Sequence, residues 1–166
     1  VGATDVHLLP ANRRETITMS GIPAAPYVGI EFAIGVDPPH NDNLSLSGGE
    51  LHVLKNMTSD NGWMWMTSYV FTKMRGDVTN GREPIPIRWE TGTNADFRTV
   101  KAAFSTPVTA GRERAARISF RVDVKKLFAN LDPNRTPSIR APQLGERTKL
   151  ADSWANAFEL VSGASP

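Results

Sequence analysis

Two stretches of the chain alternate apolar and polar or small residues, and each predicts a half-buried β-strand. Residues 27–36 place Val28, Ile30, Phe32 and their i+2 successors on one side, with Glu31 and small residues on the other. Residues 117–124 alternate in the same way. Because successive side chains of a strand project to opposite faces, both stretches fit strands with one face against a core.

Four weaker patterns predict further strands. Residues 15–20 alternate with Ile17 and Met19 inward, residues 97–104 are predicted to form a strand, and residues 63–74 are predicted to form a long central one. Residues 84–90 alternate too, but Pro84 and Pro86 remove backbone donors. Since proline is mostly confined to the edges of sheets, this stretch is predicted to be an edge strand.

Helical spacing appears only late in the chain. Residues 123–130 begin with Asp123, which suits an N-cap, and residues 150–160 carry apolar residues at i, i+4 and i+7. Long loops are expected at 37–62 and 131–147. We therefore expect an all-β fold, an antiparallel β-sandwich or barrel with two short helices near the C-terminus and long loops.

Composition narrows the class of protein. The 166 residues are enough for one domain, taken here as 1–166, and the net charge of +2 is too small to indicate nucleic-acid binding. The absence of cysteine excludes disulfides and thiolate metal sites. No run of 18 apolar residues exists, so no membrane span is expected. No serine lies in a G-x-S-x-G motif and no glycine-rich phosphate loop precedes a helix, so we do not expect an enzyme.

A polar loop after the first clear strand offers candidate metal ligands. Residues 40–43 combine His40 with Asp42 and two asparagines, and Glu90 ends a predicted strand at a place where loops gather. Imidazole suits copper, zinc or iron, whereas carboxylate oxygens suit harder ions. Each has a structural alternative: asparagine and aspartate also form ordinary turns, and Glu90 could be a solvated edge carboxylate.

Trp63 and Trp65 would share one face of their strand. Tryptophan side chains are most often core residues. Beside a metal, however, a tryptophan can be oxidised, so these two are candidates for a redox-active or modified residue.

Several stretches, taken in order, resemble the MbnP-like family of bacterial periplasmic or secreted copper-binding proteins. The matching residues are 22–32 (IPAAPYVGIEF), 34–37 (IGVD), 63–65 (WMW), 69–76 (YVFTKMRG), 90–92 (ETG), 122–124 (VDV), 127–128 (LF) and 150–158 (LADSWANAF). Order and spacing agree across most of the chain. The resemblance implies an all-β domain located in the periplasm or outside the cell.

The resemblance also implies a ligand set. In the family, histidines hold copper, in some members beside a kynurenine made from tryptophan by a partner dihaem peroxidase. Asp42 and Glu90 stand where those histidines belong, and His40 lies two positions early. The predicted ligands are therefore His40, Asp42 and Glu90, and the carboxylates favour calcium or another hard cation over copper(I), or no metal at all.

The resemblance leaves two functions open. The first is a periplasmic or extracellular metal-binding protein of the copper type, with Trp63 or Trp65 as the oxidisable neighbour. The second is a non-catalytic accessory or structural subunit that keeps the fold and has lost the metal site. Family members carry N-terminal strands that are not seen before residues 6–9 here. Either the true chain is therefore longer than this sequence, or a neighbouring subunit is expected to complete the sheet edge by adding a strand.

Overall fold

The computed structural model describes residues 6–11, 16–46, 49–52, 68–79, 83–111 and 115–164. Strands dominate these residues, which confirms the all-β prediction. The strands are β1 (Ala25–Ile34), β2 (Thr72–Val78), β3 (Ile85–Thr91), β4 (Arg98–Ala110), β5 (Arg117–Val122), β6 (Ser138–Ile139) and β7 (Phe158–Ala164). The α-helices are α1 (Pro38–Asn41) and α2 (Leu144–Ala157), and short 3-10 helices span Gly49–Leu51, Asn94–Asp96 and Val124–Phe128.

Two antiparallel strand pairs, β1–β4 and β5–β7, pack against each other through aromatic rings. Phe32 of β1 makes edge contacts with Phe120 and Phe158, with ring centroids 5.3 and 5.2 Å apart. Phe120 lies in β5 and Phe158 in β7. These contacts face the two pairs toward each other as in a sandwich. The alternation of residues 27–36 and 117–124 predicts the inner faces only in part, because Val28, Val122 and Val124 are exposed.

A third sheet has the order β2–β3–β6. The prediction that residues 84–90 form an edge strand is wrong, because β3 pairs antiparallel with β2 and parallel with β6. The parallel pairing covers only Arg88 and Trp89, opposite Ser138 and Ile139. Pro86 lies beyond that short partner, so the missing proline donor does not interrupt the β3–β6 ladder.

The main core surrounds Trp89, which is fully buried. Its indole Nε1 donates to the carbonyl of Thr136 at 2.7 Å, and its ring lies 5.0 Å from that of Phe128. Helix α2 supplies Leu150 and β6 supplies Ile139 to the same cluster. The sheet, the 3-10 helix of Val124–Phe128 and α2 are therefore joined through one apolar centre.

Two helical segments occur late in the chain, as predicted, with different bounds. Asp123 caps the first, its side chain accepting from the Lys125 amide at 3.0 Å. The second begins at Leu144 and ends at Ala157, so the predicted span 150–160 was wrong at both ends. Phe158 leaves the helix because it pairs with Val122 and packs on Phe32 instead. No helix within the described residues is both long and apolar enough to cross a membrane.

Two strand predictions fail in the first half of the chain. Residues 16–20 form no strand, and Ile17 and Met19 are exposed. The long central strand predicted at 63–74 begins at Thr72 within the described residues, where β2 pairs with β3. Residues 63–67 of that prediction lie outside the described residues.

A surface ion-pair network on β5 and β7 gives stability a defined pH dependence. Lys126, and then Arg121, hold the pKa of Glu159 well below its usual value, at about 2. The Nζ atom of Lys126 lies 2.6 Å from one carboxylate oxygen. A lowered folded-state pKa stabilises the fold above the unfolded pKa of about 4.3, and that stabilisation is lost as the pH falls toward 2.

We therefore expect the free energy of unfolding of the wild type to fall more steeply than that of Glu159→Gln between about pH 4.5 and pH 2. Urea unfolding at a series of pH values, followed by circular dichroism, measures both slopes. Lys126→Met should likewise give a shallower dependence of the unfolding free energy on pH than the wild type. Identical slopes for all three proteins would contradict the assignment.

Candidate functional site

A glycine, Gly35, sets the direction in which the loop leaves β1. Gly35 has φ of +112°, a conformation that side chains rarely adopt, and the ring of Phe71 covers its open side. A Cβ atom there would lie 2.5 Å from a Phe71 ring carbon. Gly35 therefore lets the chain turn tightly, and the close ring contact places the loop beside residues 68–71.

Helix α1 is a single turn that fixes which side chains point inward. The carbonyl of Asp37 accepts from the amides of His40 and Asn41, and prolines occupy the start of the turn. Asn41 is 1% exposed, whereas His40 and Asp42 are exposed. The turn therefore directs an asparagine, and neither of the predicted ligands, into the protein.

Asn41 lies at the centre of a hydrogen-bond network, here called the polar clip. Its Oδ1 accepts from the Tyr69 amide at 2.8 Å. Its Nδ2 donates to Asn94 Oδ1 at 2.8 Å and to the Gly92 carbonyl at 3.4 Å. Asn94 Nδ2 in turn donates to Asp42 Oδ1 at 2.6 Å. The polar clip thus joins the loop to the turn that follows β3 and to the residue that precedes Val70 and Phe71.

The turn after β3 is held by Asp96. Its buried Oδ2 accepts from the amides of Gly92 and Thr93, at 3.0 and 3.2 Å, and from the Thr93 hydroxyl at 3.3 Å. Thr93 and Asp96 form a capping box for the 3-10 helix of Asn94–Asp96. Asp96 therefore fixes the position of Asn94, which belongs to the polar clip.

A buried ion pair connects this turn to α2. Arg147 Nε lies 3.4 Å from Asp96 Oδ2, and the two side chains are 5% and 0% exposed. The Arg147 guanidinium also donates to the Ala141 carbonyl at 2.6 Å and to the Thr93 hydroxyl at 3.1 Å. The sequence analysis missed both residues. The Thr93-x-x-Asp96 spacing of a capping box was the signal that could have identified Asp96.

His40 lies on the outer side of the turn with its ring oriented by a carboxylate. Its Nδ1 donates to Asp37 Oδ1 at 2.7 Å. This contact leaves Nε2 as the ring atom that could ligate a metal, as in carboxylate–histidine–metal arrangements. His40 and Asp42 are two residues apart on a helical turn, so their side chains do not project to the same side.

Asp42 lies beside the turn that follows β3. Asn94 holds one of its carboxylate oxygens, and Asn41 holds the Gly92 carbonyl, two residues after Glu90. The structure therefore brings the loop that carries Asp42 to the end of the strand that carries Glu90.

Glu90 is 3% exposed, so its interpretation as a solvated edge carboxylate is wrong. In β2, Lys73 lies directly opposite Glu90, and its Nζ is 3.7 Å from Glu90 Oε1. A carboxylate this deeply buried needs a nearby positive charge, which Lys73 provides. Any metal at Glu90 would have to compete with that ammonium group.

The tryptophan candidates Trp63 and Trp65 lie outside the described residues. The nearest described segment is 68–71, and Tyr69 is fully buried there. Burial raises the pKa of the Tyr69 phenol above its usual value. The Tyr69 amide belongs to the polar clip, since it donates to Asn41 Oδ1.

The described donors suit some metals better than others. No three histidine, aspartate or glutamate side chains within the described ranges come together as a metal-binding group. The predicted ligands offer one imidazole and two carboxylates. Such donors do not suit copper(I), which prefers sulfur and nitrogen, but they are acceptable to copper(II) or a harder divalent ion.

Comparison with known proteins identifies a family. The family model MbnP matches residues 2–141, which is most of the chain. No curated protein and no solved structure matches the chain significantly.

Proposed function

The chain belongs to the MbnP family, which is associated with copper, and from this membership we propose that it is a metal-binding protein of the periplasm or cell exterior. The proposed site is the corner where the loop 37–42 meets the turn after β3. No catalytic role is assigned to the chain itself.

One observation supports this location above the others. Asn94 binds the Asp42 carboxylate while Asn41 binds the Gly92 carbonyl. Asp42 and Glu90 occupy the positions of the family's copper-binding histidines, as the resemblance implies. Segments 52 residues apart in sequence are thus held together at the positions where a metal would be expected.

The chemistry of the donors favours copper(II), or a hard cation such as calcium, over copper(I). Asp42 would offer the oxygen that Asn94 does not hold, and His40 would offer Nε2 after a change in the orientation of its side chain. Glu90 would bind the metal only if the Lys73 ammonium group moved away from its carboxylate. A metal bound here would supply positive charge and, for copper, a redox centre.

The test is metal uptake by the purified chain. We expect stoichiometric copper(II) binding in calorimetric titration, with an electron paramagnetic resonance spectrum showing nitrogen and oxygen ligands. His40→Ala and Asp42→Ala should each weaken binding by roughly tenfold or more, since loss of even a supporting group costs that much at metal sites. Glu90→Gln tests whether the third candidate takes part.

A matched control separates the site from general surface charge. Asp77 is an exposed carboxylate of β2, and Asp77→Asn should leave the copper(II) affinity unchanged. Absence of uptake from added copper, iron or calcium, or equal weakening by Asp77→Asn, would eliminate the proposal. Mass spectrometry of the peptide containing Trp63 and Trp65, from protein made beside a dihaem peroxidase, tests for conversion to kynurenine.

A second function is favoured by the partners of the predicted ligands. His40 contacts Asp37, Asp42 contacts Asn94 and Glu90 contacts Lys73, so each already has a protein partner. A chain that had lost its metal would serve as an accessory subunit, with a partner strand completing its sheet edge. It would take up no metal, tolerate Asp42→Ala and Glu90→Gln, and purify with another protein.

A further inference from the structure

One row of side chains crosses the outer face of the three-stranded sheet. Arg75 of β2 lies directly opposite Arg88 of β3, and Arg88 lies opposite Ser138 of β6. Successive side chains of a strand alternate between faces, and Trp89 and Ile139, one position further along, are buried in the main core. Arg75 and Arg88 are exposed, as this alternation requires. The two arginines and Ser138 therefore share the face that points away from the core.

A third guanidinium group is held beside this row by Ser138. Arg140 lies two positions after Ser138 in the chain, and its Nε donates to Ser138 Oγ at 3.1 Å. Its backbone amide donates to Gln143 Oε1 at 2.7 Å. Because neighbouring strands lie about 4.8 Å apart, Arg75, Arg88 and Arg140 are brought together across a width of about 10 Å. These three residues are here called the arginine row.

The arginine row carries an unbalanced positive charge. Like charges directly opposite each other on paired strands are destabilising, and Arg75 and Arg88 are such a pair. On the same face, Lys73 lies beside the carboxylate of Glu90. Among the described residues of β2 and β3, that leaves Asp77 as the carboxylate that opposes the arginines. An anion placed between the guanidinium groups would turn their repulsion into attraction.

The backbone that carries the arginine row is fixed before any ligand arrives. The Arg88 amide donates to the Pro137 carbonyl at 2.9 Å, and Gln143 Nε2 donates to the Ser138 carbonyl at 2.8 Å. On the reverse side of the sheet, the Trp89 cluster holds β3 and β6 together. A binding group presented on rigid strands loses less conformational freedom when a ligand binds.

We propose that the arginine row binds a dianionic phosphate group. Such a group carries about two negative charges and three strong acceptor oxygens, so it can accept from several guanidinium groups at once, whereas a carboxylate has two oxygens. Arg75 and Arg88 each take part in another interaction of the protein. The five N–H donors of a guanidinium group allow it to keep such a contact and bind a ligand as well. This site does not depend on the proposed metal site.

The test is calorimetric titration of the full chain with inorganic phosphate. The buffer contains a chelator, so that phosphate cannot bind through a metal ion. We expect Arg75→Gln and Arg88→Gln each to weaken the affinity roughly tenfold or more, because a charge-assisted hydrogen bond is lost. Ser138→Ala should weaken it by a smaller factor, roughly twofold to tenfold, since Arg140 loses the contact that positions it but keeps its charge.

An arginine from another sheet provides the matched control. Arg117 is exposed in β5, which pairs with β7, and Arg117→Gln should leave the phosphate affinity at the wild-type value. Acetate at the same ionic strength should bind the wild type more weakly than phosphate does. If Arg88→Gln fails to fold, Arg75→Gln and Arg140→Gln carry the test, since neither residue belongs to the buried core.

A second arm identifies the source of the phosphate. Vesicles that contain phosphatidic acid present the same dianionic group at a membrane surface, and phosphatidylcholine vesicles serve as their reference. Cosedimentation with phosphatidic acid vesicles that is lost in Arg75→Gln would support a lipid headgroup as the ligand. Binding of inorganic phosphate without such cosedimentation would support a free phosphate.

Three results would overturn the proposal. The first is absence of binding both to inorganic phosphate and to phosphatidic acid vesicles. The second is equal weakening by Arg117→Gln and Arg75→Gln, which would mean that phosphate responds only to the net charge of the protein. The third is an acetate affinity equal to the phosphate affinity, which would refute the preference for a dianionic group.

Discussion

Trp89→Ala is expected to lower the free energy of unfolding by about 3–5 kcal/mol. The side chain is fully buried among Ile87, Leu131, Ile139 and Leu150, and these residues come from four separate segments. Removing the indole leaves a cavity that the surrounding strands and helix can fill only in part, so lost burial and lost contacts add together. Denaturant unfolding followed by circular dichroism measures the change.

A conservative variant separates packing from hydrogen bonding at the same position. Trp89→Phe keeps an aromatic ring beside Phe128 but removes the donor to Thr136. The unpaired carbonyl and the smaller ring should cost less than the alanine variant, on the order of 1–3 kcal/mol. A loss from Trp89→Ala no larger than that of an exposed substitution such as Val161→Ala would refute the central role of the indole.

Asp96→Ala is the second change expected to have a large effect, at about 3–5 kcal/mol of unfolding free energy. It leaves the Arg147 guanidinium buried without its carboxylate and removes the acceptor for the Gly92 and Thr93 amides. A buried charge that loses its counter-ion cannot recover its hydration without local opening. The same denaturant series provides the measurement.

A double-mutant cycle shows whether the pair acts as a unit. Arg147→Met keeps much of the side-chain volume and removes the charge, so the double variant with Asp96→Ala should be less destabilised than the sum of the two single variants. Strict additivity would mean that the two residues do not interact. Because Asp96 fixes the turn that contains Asn94, Asp96→Ala should also weaken any copper(II) binding at Asp42.

Much of the sheet structure could be predicted from local pattern. The alternation of residues 27–36 and 117–124 identified β1 and β5, and it placed Phe32 and Phe120 on the faces that meet. The Asp123 cap could likewise be predicted, since an N-cap needs only a short side chain with an acceptor oxygen at the start of a helix. These features depend only on residues that are close in sequence, so they can be predicted from the local sequence pattern.

Features that depend on distant segments were not predictable. The position of β3 inside its sheet depends on β6, a two-residue strand in a proline-rich stretch with no alternation of its own. Helix α2 starts earlier than predicted, and Arg147 near its beginning, which looks like a surface residue in sequence, is buried and faces Asp96. Phe158 continues the helical spacing of Trp154 and was placed in the helix, although its pairing with Val122 makes it a strand residue.

At the candidate site, the loop after Val36 meets the turn at the end of β3. The residue that joins them was not identified as such, because Asn41 resembles its polar neighbours in sequence and only the fold turns it inward. The pairing of Glu90 with Lys73 was hidden for the same reason, since it depends on the register between β2 and β3. The assignment of His40, Asp42 and Glu90 as ligands stays a prediction.

The dependence of the Trp89 cluster on α2 has a consequence for how the protein reaches its native state. Strand β3 emerges during synthesis about 60 residues before Leu150, which closes the cluster. Contacts between residues so distant in sequence form slowly, because closing the long loop between them costs conformational entropy before the contacts can stabilise the fold. Until then the Trp89 indole lacks the cover that Leu150 gives it, so an apolar face of β3 stays exposed while the rest of the chain is made.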